Sequence, residues 1–291
     1  MEQFHICWTI DCECTQPGIE DTELGDNAIR GFSELLEASG WLGTFFLIRS
    51  ELEPLSDLLA KSAAAGHELA IHTHPNACGY PSPYLGVFDP ETQRDIVNGT
   101  IEVFEQLFSV RPVSCRPGYA SSNDYTFPTL RQCGIRQTSA SMPGRRMSNL
   151  ASNWAGAPLF AHYANPYNRF LEGGLDLVEI PITVDWETMI WGGLHPQDLR
   201  VEYTDAKNHA FTIRKVMRRQ IEERLPVKSL VVLTHNIFRF GDETNFRRET
   251  MWGMIETIRD LSRELGVEPI GSTIQQVGEA YRQAVPLTQE R

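Results

Sequence analysis

The chain has 291 residues, 41% of them hydrophobic and 22% charged, with a formal net charge of −12. This is a globular composition with ample length for a large core. The acidic balance disfavours nucleic acid or an anionic membrane as partner, and no run of about twenty apolar residues exists to span a bilayer.

The first apolar run begins within a few residues of Met1, contains His5 and leads straight into acids, a pattern unlike a secretory leader. A cytoplasmic location is therefore expected, with the six cysteines kept as thiols.

In chain order, "FHICWTI" (4–10) reads as a buried strand and "NAIRGFSELLEASG" (27–40) as an amphipathic helix with a glycine stop. "GTFFLI" (43–48) is a second strand, "EPLSDLLAKSAAAG" (53–66) a helix and "HELAIHTH" (67–74) a third strand. A helix over 91–108, a short strand over 112–118 and a helix over 126–134 follow.

Further on, "LVEIPIT" (177–183) and "SLVVLTH" (229–235) are strands that flank a long helix over 209–225. A helix over 245–266, the short run "VEPIG" and a last helix near "TIQQVGEAYR" complete the pattern. Strands alternating with helices imply a mainly parallel α/β sheet, doubly wound or closed into a barrel. Residues 75–90 and 139–174 break the rhythm, and the second stretch is long enough to be a binding loop or lid.

In parallel α/β folds, ligands sit outside the carboxyl ends of the strands. Asp11 and Glu13, His72 and His74, Arg116, Asp185 and Trp186, and His235 all fall there. His72 and His74 lie two apart, so a strand would present both on one side. Two imidazoles beside a carboxylate suit a divalent metal such as zinc, whereas a lone strand-end histidine more often bonds to backbone. Cys12 and Cys14 lack the spacing of a redox or zinc-finger pair and alternate with the two acids. They are expected to pack behind the site.

Taken together, "TIDCE", "IHTHP", "RPGY", "VDW" and "LTH" resemble, in order, the five motifs of the NodB-homology polysaccharide deacetylases (carbohydrate esterase family 4). The resemblance runs through nearly the whole chain. It implies a single domain over 1–291 forming a distorted (β/α)7-type barrel, complete or incomplete, with an inserted loop or lid around 139–174.

The same resemblance implies Asp11 as general base and Glu13, His72 and His74 as ligands of a divalent metal, most simply zinc. Arg116 would orient and acidify Asp11. The Tyr119 backbone N–H would help stabilise the oxyanion, His235 would be the general acid, and Asp185 would sit beside Arg116 or His235. Cys12 between the acids leaves the exchanged assignment of Asp11 and Glu13 open. The short histidine spacing leaves His74 open as an outer group, with Asn76 recruited in its place. Trp186, Tyr163 and Tyr167 are candidates to stack on a sugar, the alternative being that they belong to the core or to the lid's own packing.

The implied activity is hydrolytic removal of an acyl group, acetyl first, from an amino sugar or a sugar-linked small molecule. A hydrolase of a cyclic amide, imide or ureide and a non-catalytic carbohydrate-binding protein are the alternatives. The expected partner is a small-molecule or sugar substrate, and a homo-oligomer is compatible with the sequence.

Overall fold

The computed structural model describes residues 1–287. Its central sheet is built from β1 (Glu2–Cys12), β2 (Gly43–Leu47), β3 (Glu68–Thr73), β4 (Ser114–Pro117), β5 (Gln137–Thr138), β6 (Val178–Glu179) and β7 (Ser229–His235). These run parallel in the order β7-β1-β2-β3-β4-β5-β6. A further strand, β8 (Val267–Gly271), pairs with Glu2–Ile6 of β1. The pair His162–Tyr163 adds an antiparallel edge to β6.

The central strands are apolar on both faces because helices cover one side and the barrel interior the other. Phe4, Ile6, Trp8, Ile10, Phe45, Phe46, Ile71, Leu230 and Val232 are all fully buried. The expected distorted (β/α)7-type barrel is borne out in its incomplete form. Between β6 and β7 there is no regular ladder. Thr183 donates its N–H to the Val231 carbonyl at 3.2 Å, and Leu199 and Val201 exchange backbone bonds with Leu233 at 3.1 and 3.0 Å. Irregular chain closes the seam that an ideal barrel would close with a strand.

Local chemistry explains where the elements depart from the apolar pattern. The first helix begins at Thr22 rather than Asn27, because the Asp21 carboxylate caps it by accepting from the Leu24 N–H at 2.9 Å. The helix expected over 53–66 is shortened to Ser56–Ala64, and a separate helical turn, Arg49–Leu52, precedes it with Pro54 between the two. The strand expected over 177–183 narrows to Val178–Glu179, since the chain beyond it turns toward β7. The hairpin of Val184–Ile190 with His195–Asp198 and the two-residue β5 carry no periodic signal and are set by their neighbours.

Residues 139–174 hold a small ribbon, Arg146–Met147 paired with Ser152–Asn153. Trp154 anchors this stretch: it is fully buried, and its indole N–H donates to the Ala120 carbonyl at 2.8 Å. Among the described residues no helix is long and apolar enough to cross a membrane.

Candidate active site and metal centre

Sheet register brings the reactive groups together. Asp11 of β1 lies opposite His235 of β7, and His72 of β3 lies opposite Arg116 of β4. Alternation along β1 aims Asp11 and Glu13 into the barrel mouth, and both line one cavity of ≈ 90 Å³ with His72, His74, Arg116, Tyr119 and His235. Cys12 and Cys14 are fully buried in the apolar core. Burial pushes both thiols up, so they stay protonated and inert.

Glu13, His72 and His74 converge. Nε2 of His74 lies 3.1 Å from both Glu13 Oε2 and His72 Nε2, and His72 Nε2 lies 3.8 Å from Glu13 Oε2. Donors bound tetrahedrally to one zinc ion at its usual bond lengths would be about 3.3 Å apart. The His72 Nδ1–H donates to the Arg116 carbonyl at 2.7 Å, which fixes the tautomer and turns the Nε2 lone pair toward the other donors. Burial lowers the pKa of His74, favouring the neutral ligand form, although its contact with Glu13 opposes this. Lone pairs and a carboxylate facing each other at this range fit a divalent cation.

Asp11 is held differently. Burial opposes its ionisation, but the Arg116 guanidinium, aided by His72 and His235, keeps its carboxyl below the usual carboxylate range. The Arg116–Asp11 contact is 2.7 Å, and both side chains are buried. Arg116 is pinned on every side. It also donates to Thr9 Oγ1 at 2.8 Å and to the Ser139 hydroxyl and carbonyl at 2.9 and 3.1 Å, and it stacks over Phe46 at 4.2 Å.

His235 Nδ1 donates to the Glu202 carboxylate, which also accepts from the Thr234 hydroxyl at 3.0 Å. Burial works against a charged His235, yet Glu202 outweighs it and raises the imidazole pKa. This favours the imidazolium form, and the second ring nitrogen is left for the cavity.

Tyr119 has left-handed backbone at φ 57 and its ring packs on His74 with centroids 5.0 Å apart. Gly118 lies against the His74 ring where no side chain would fit. Behind the carboxylates, Asn236 Oδ1 accepts from the Glu13 N–H at 2.7 Å, and its amide donates to Glu51 at 2.9 Å.

Other expected residues lie elsewhere. Asp185 pairs with Lys215 at 2.6 Å and accepts from the Glu187 N–H and the Thr188 hydroxyl, so it reaches neither Arg116 nor His235. The place beside His235 belongs to Glu202. Trp186 packs under Lys215 and Arg219, outside the cavity. Tyr163 is buried against Tyr281, and Tyr167 is 86% exposed on a surface turn. None of these aromatics lines the cavity. Asn76 is not among its lining residues either.

Glu202, Asn236, Glu51, Arg145 and Arg200 are site residues or their supports that the motifs did not flag. Asn236 carried a hint through its position next to His235, and Arg145 through the Arg145-Arg146 pair, a cluster able to meet an anionic group. Glu202 and Arg200 come from the irregular seam, where no pattern marks them.

The polysaccharide deacetylase family model matches residues 22–138, a stretch that contains His72, His74, Arg116 and Tyr119. No curated protein matches the sequence. Among solved structures, the chain is similar to a protein described as a polysaccharide deacetylase from Mycobacterium smegmatis, at TM-score 0.63 and 17% identity, covering 100% of this chain and 94% of that one. A Pseudomonas aeruginosa PAO1 protein of the same description gives TM-score 0.63 at 13% identity over 98% and 93% of the two chains. The allantoinase Puue gives TM-score 0.63 at 14% identity over 98% and 92%. At such identities the structural likeness is one of fold. With the family match, it bears out the resemblance to the polysaccharide deacetylases.

Proposed function

We propose that this relative of the polysaccharide deacetylases is a metal-dependent hydrolase that removes an acyl group, acetyl first, from the nitrogen of an amino sugar or a sugar-linked small molecule. The observation that carries the reading is convergence on one cavity of the Asp11–Arg116 pair, the Glu13–His72–His74 cradle and the Glu202–His235 pair.

Glu13, His72 and His74 would hold the ion, and zinc is the metal that two imidazoles and a carboxylate suit. When bound, the ion would polarise the acyl carbonyl and acidify its water. Asp11, kept ionised by Arg116, takes the proton from the attacking water. The Tyr119 N–H is the backbone donor for the developing oxyanion, a type of contact worth about 3 kcal/mol. His235, its pKa raised by Glu202, gives a proton to the departing amine, a poor leaving group without it.

The test is acetate release from N-acetylated amino sugars by zinc-loaded and chelator-stripped protein, with elemental analysis alongside. About one divalent ion per chain and chelator-sensitive release are expected. A metal-free protein, or no cleavage of any N-acyl sugar, would overturn the proposal. Opening of a cyclic amide or ureide uses the same attack on carbonyl carbon and is the second reading, favoured by the fold shared with an allantoinase. Product analysis with a ureide substrate separates the two.

A further inference from the structure

Arg145 lines the same cavity and is 5% exposed. Its position is built with care. The backbone turns through Gly144 at φ 96, Arg145 N–H donates to the Met142 carbonyl at 3.0 Å, and the Trp154 N–H donates to the Arg145 carbonyl at 2.8 Å. Its guanidinium donates to the Met142 and Met147 sulfurs, each at 3.2 Å, and to the Tyr119 carbonyl at 3.0 Å.

All of these partners are neutral, and sulfur is a weak acceptor. Among the described residues no carboxylate lies within ion-pair distance of Arg145, and its Nη2 has no hydrogen-bond partner.

The contrast with the other cavity arginines is informative. Arg116 is neutralised by Asp11. Arg200 has Asp198 at 3.2 Å, although its Nη1 has no partner among the described residues. Burying a guanidinium without a counter-charge is strongly unfavourable, which a stability role does not explain. Burial and the nearby Arg200 lower Arg145 to about 10, so it remains charged at neutral pH.

We propose that Arg145, with Arg200 lining the same cavity, binds an anionic group, carboxylate or phosphate, that the substrate carries close to the scissile amide. This rests on the cavity being the active site. The closeness follows from the structure: Arg145 grips the carbonyl of Tyr119, whose ring packs on His74. In a cavity of ≈ 90 Å³ the acyl group and the anion are near neighbours.

The test compares hydrolysis of neutral N-acetylglucosamine with that of a carboxylated analogue, N-acetylmuramic acid, and a phosphorylated one, N-acetylglucosamine 6-phosphate. At least a tenfold preference in kcat/KM for an anionic substrate is expected, and the better anionic arm identifies the group. Arg145→Gln should cut that preference tenfold or more through KM, with Arg145→Lys restoring part of it. Equal rates on neutral and anionic substrates, or an equal penalty on both, would overturn the proposal.

A second measurement is independent of turnover. Inorganic phosphate or acetate should raise the Tm of the wild-type chain. Arg145→Met should melt higher than wild type and lose that response. A lower Tm with the response intact would make Arg145 structural and end the proposal. An Arg145-dependent shift in a chain that hydrolyses no N-acyl compound would sink the deacetylase reading and leave the anion subsite standing.

Discussion

His235 donates its Nδ1–H to Glu202 at 2.5 Å, from a strand end to a residue of the irregular seam between β6 and β7. The carboxylate fixes the tautomer and raises the imidazole pKa, because its attraction exceeds the burial that opposes the charge. If His235 is the general acid, activity should fall as pH rises through its raised pKa.

Glu202→Gln removes the charge while keeping an acceptor. The alkaline limb of the kcat/KM profile should then move to lower pH, with activity at low pH nearly retained. His235→Ala should cost about a hundredfold or more at every pH. An unmoved alkaline limb in Glu202→Gln would mean that another group supplies the proton.

The two acids of β1 are separable by experiment. Glu13 faces both imidazoles, whereas Asp11 is bound to Arg116. Asp11→Asn should retain metal and lose at least a hundredfold in turnover. Glu13→Gln should lose metal, read by elemental analysis after dialysis. The opposite pattern would exchange their roles.

Gly118 offers a test of the cradle that touches no ligand. A Cβ built there overlaps Nε2 and Cδ2 of His74 and also crowds the Thr73 carbonyl. Gly118→Ala should therefore displace the imidazole and weaken metal affinity by tenfold or more, with a smaller effect on overall fold seen by circular dichroism. Unchanged metal affinity would place His74 outside the ligand set.

Glu51 gives a stability prediction with a defined sign. Its carboxyl is fully buried, and burial pushes it up to about 7 despite hydrogen bonds from Asn236 and Thr15. In the window between the ordinary carboxylate range and about 7, the folded chain keeps a proton that the unfolded chain has lost. Stability from this group therefore falls as pH rises through that window, by about 1.4 kcal/mol per pH unit. Glu51→Gln should melt close to wild type at pH 5 and above it at pH 8. A Tm difference that does not grow with pH would contradict this account.

Much of the site was legible in the sequence because strand-end positions are coded locally. Period-two alternation announced that Asp11 and Glu13 share a side and that His72 and His74 do as well. The apolar runs of β1, β2, β3 and β7 marked the central strands because burial on both faces leaves no ambiguity of composition. Glu202 was illegible for the opposite reason. It lies where the chain follows neither period, and only the backbone bonds of Leu199 and Val201 to Leu233 bring it to His235.

Asp185 failed through the same gap. Its strand-end position was read from an apolar run that in fact leaves the ladder after Glu179, so its carboxylate turns to Lys215. The aromatics of 139–174 were open to either reading, because composition cannot tell a sugar platform from a hydrophobic anchor such as Trp154.

The irregular seam also divides the site by chain segment. Asp11, Glu13, His72, His74, Arg116 and His235 come from strand ends, while Arg200 and Glu202 come from the stretch that replaces a closing strand and Arg145 from the 139–174 insertion. Mutations in those two segments would change the charge around the cavity and the partner of His235 without altering a member of the Glu13–His72–His74 cradle. Charge at the cavity and geometry of the cradle are thereby carried by separate parts of the chain.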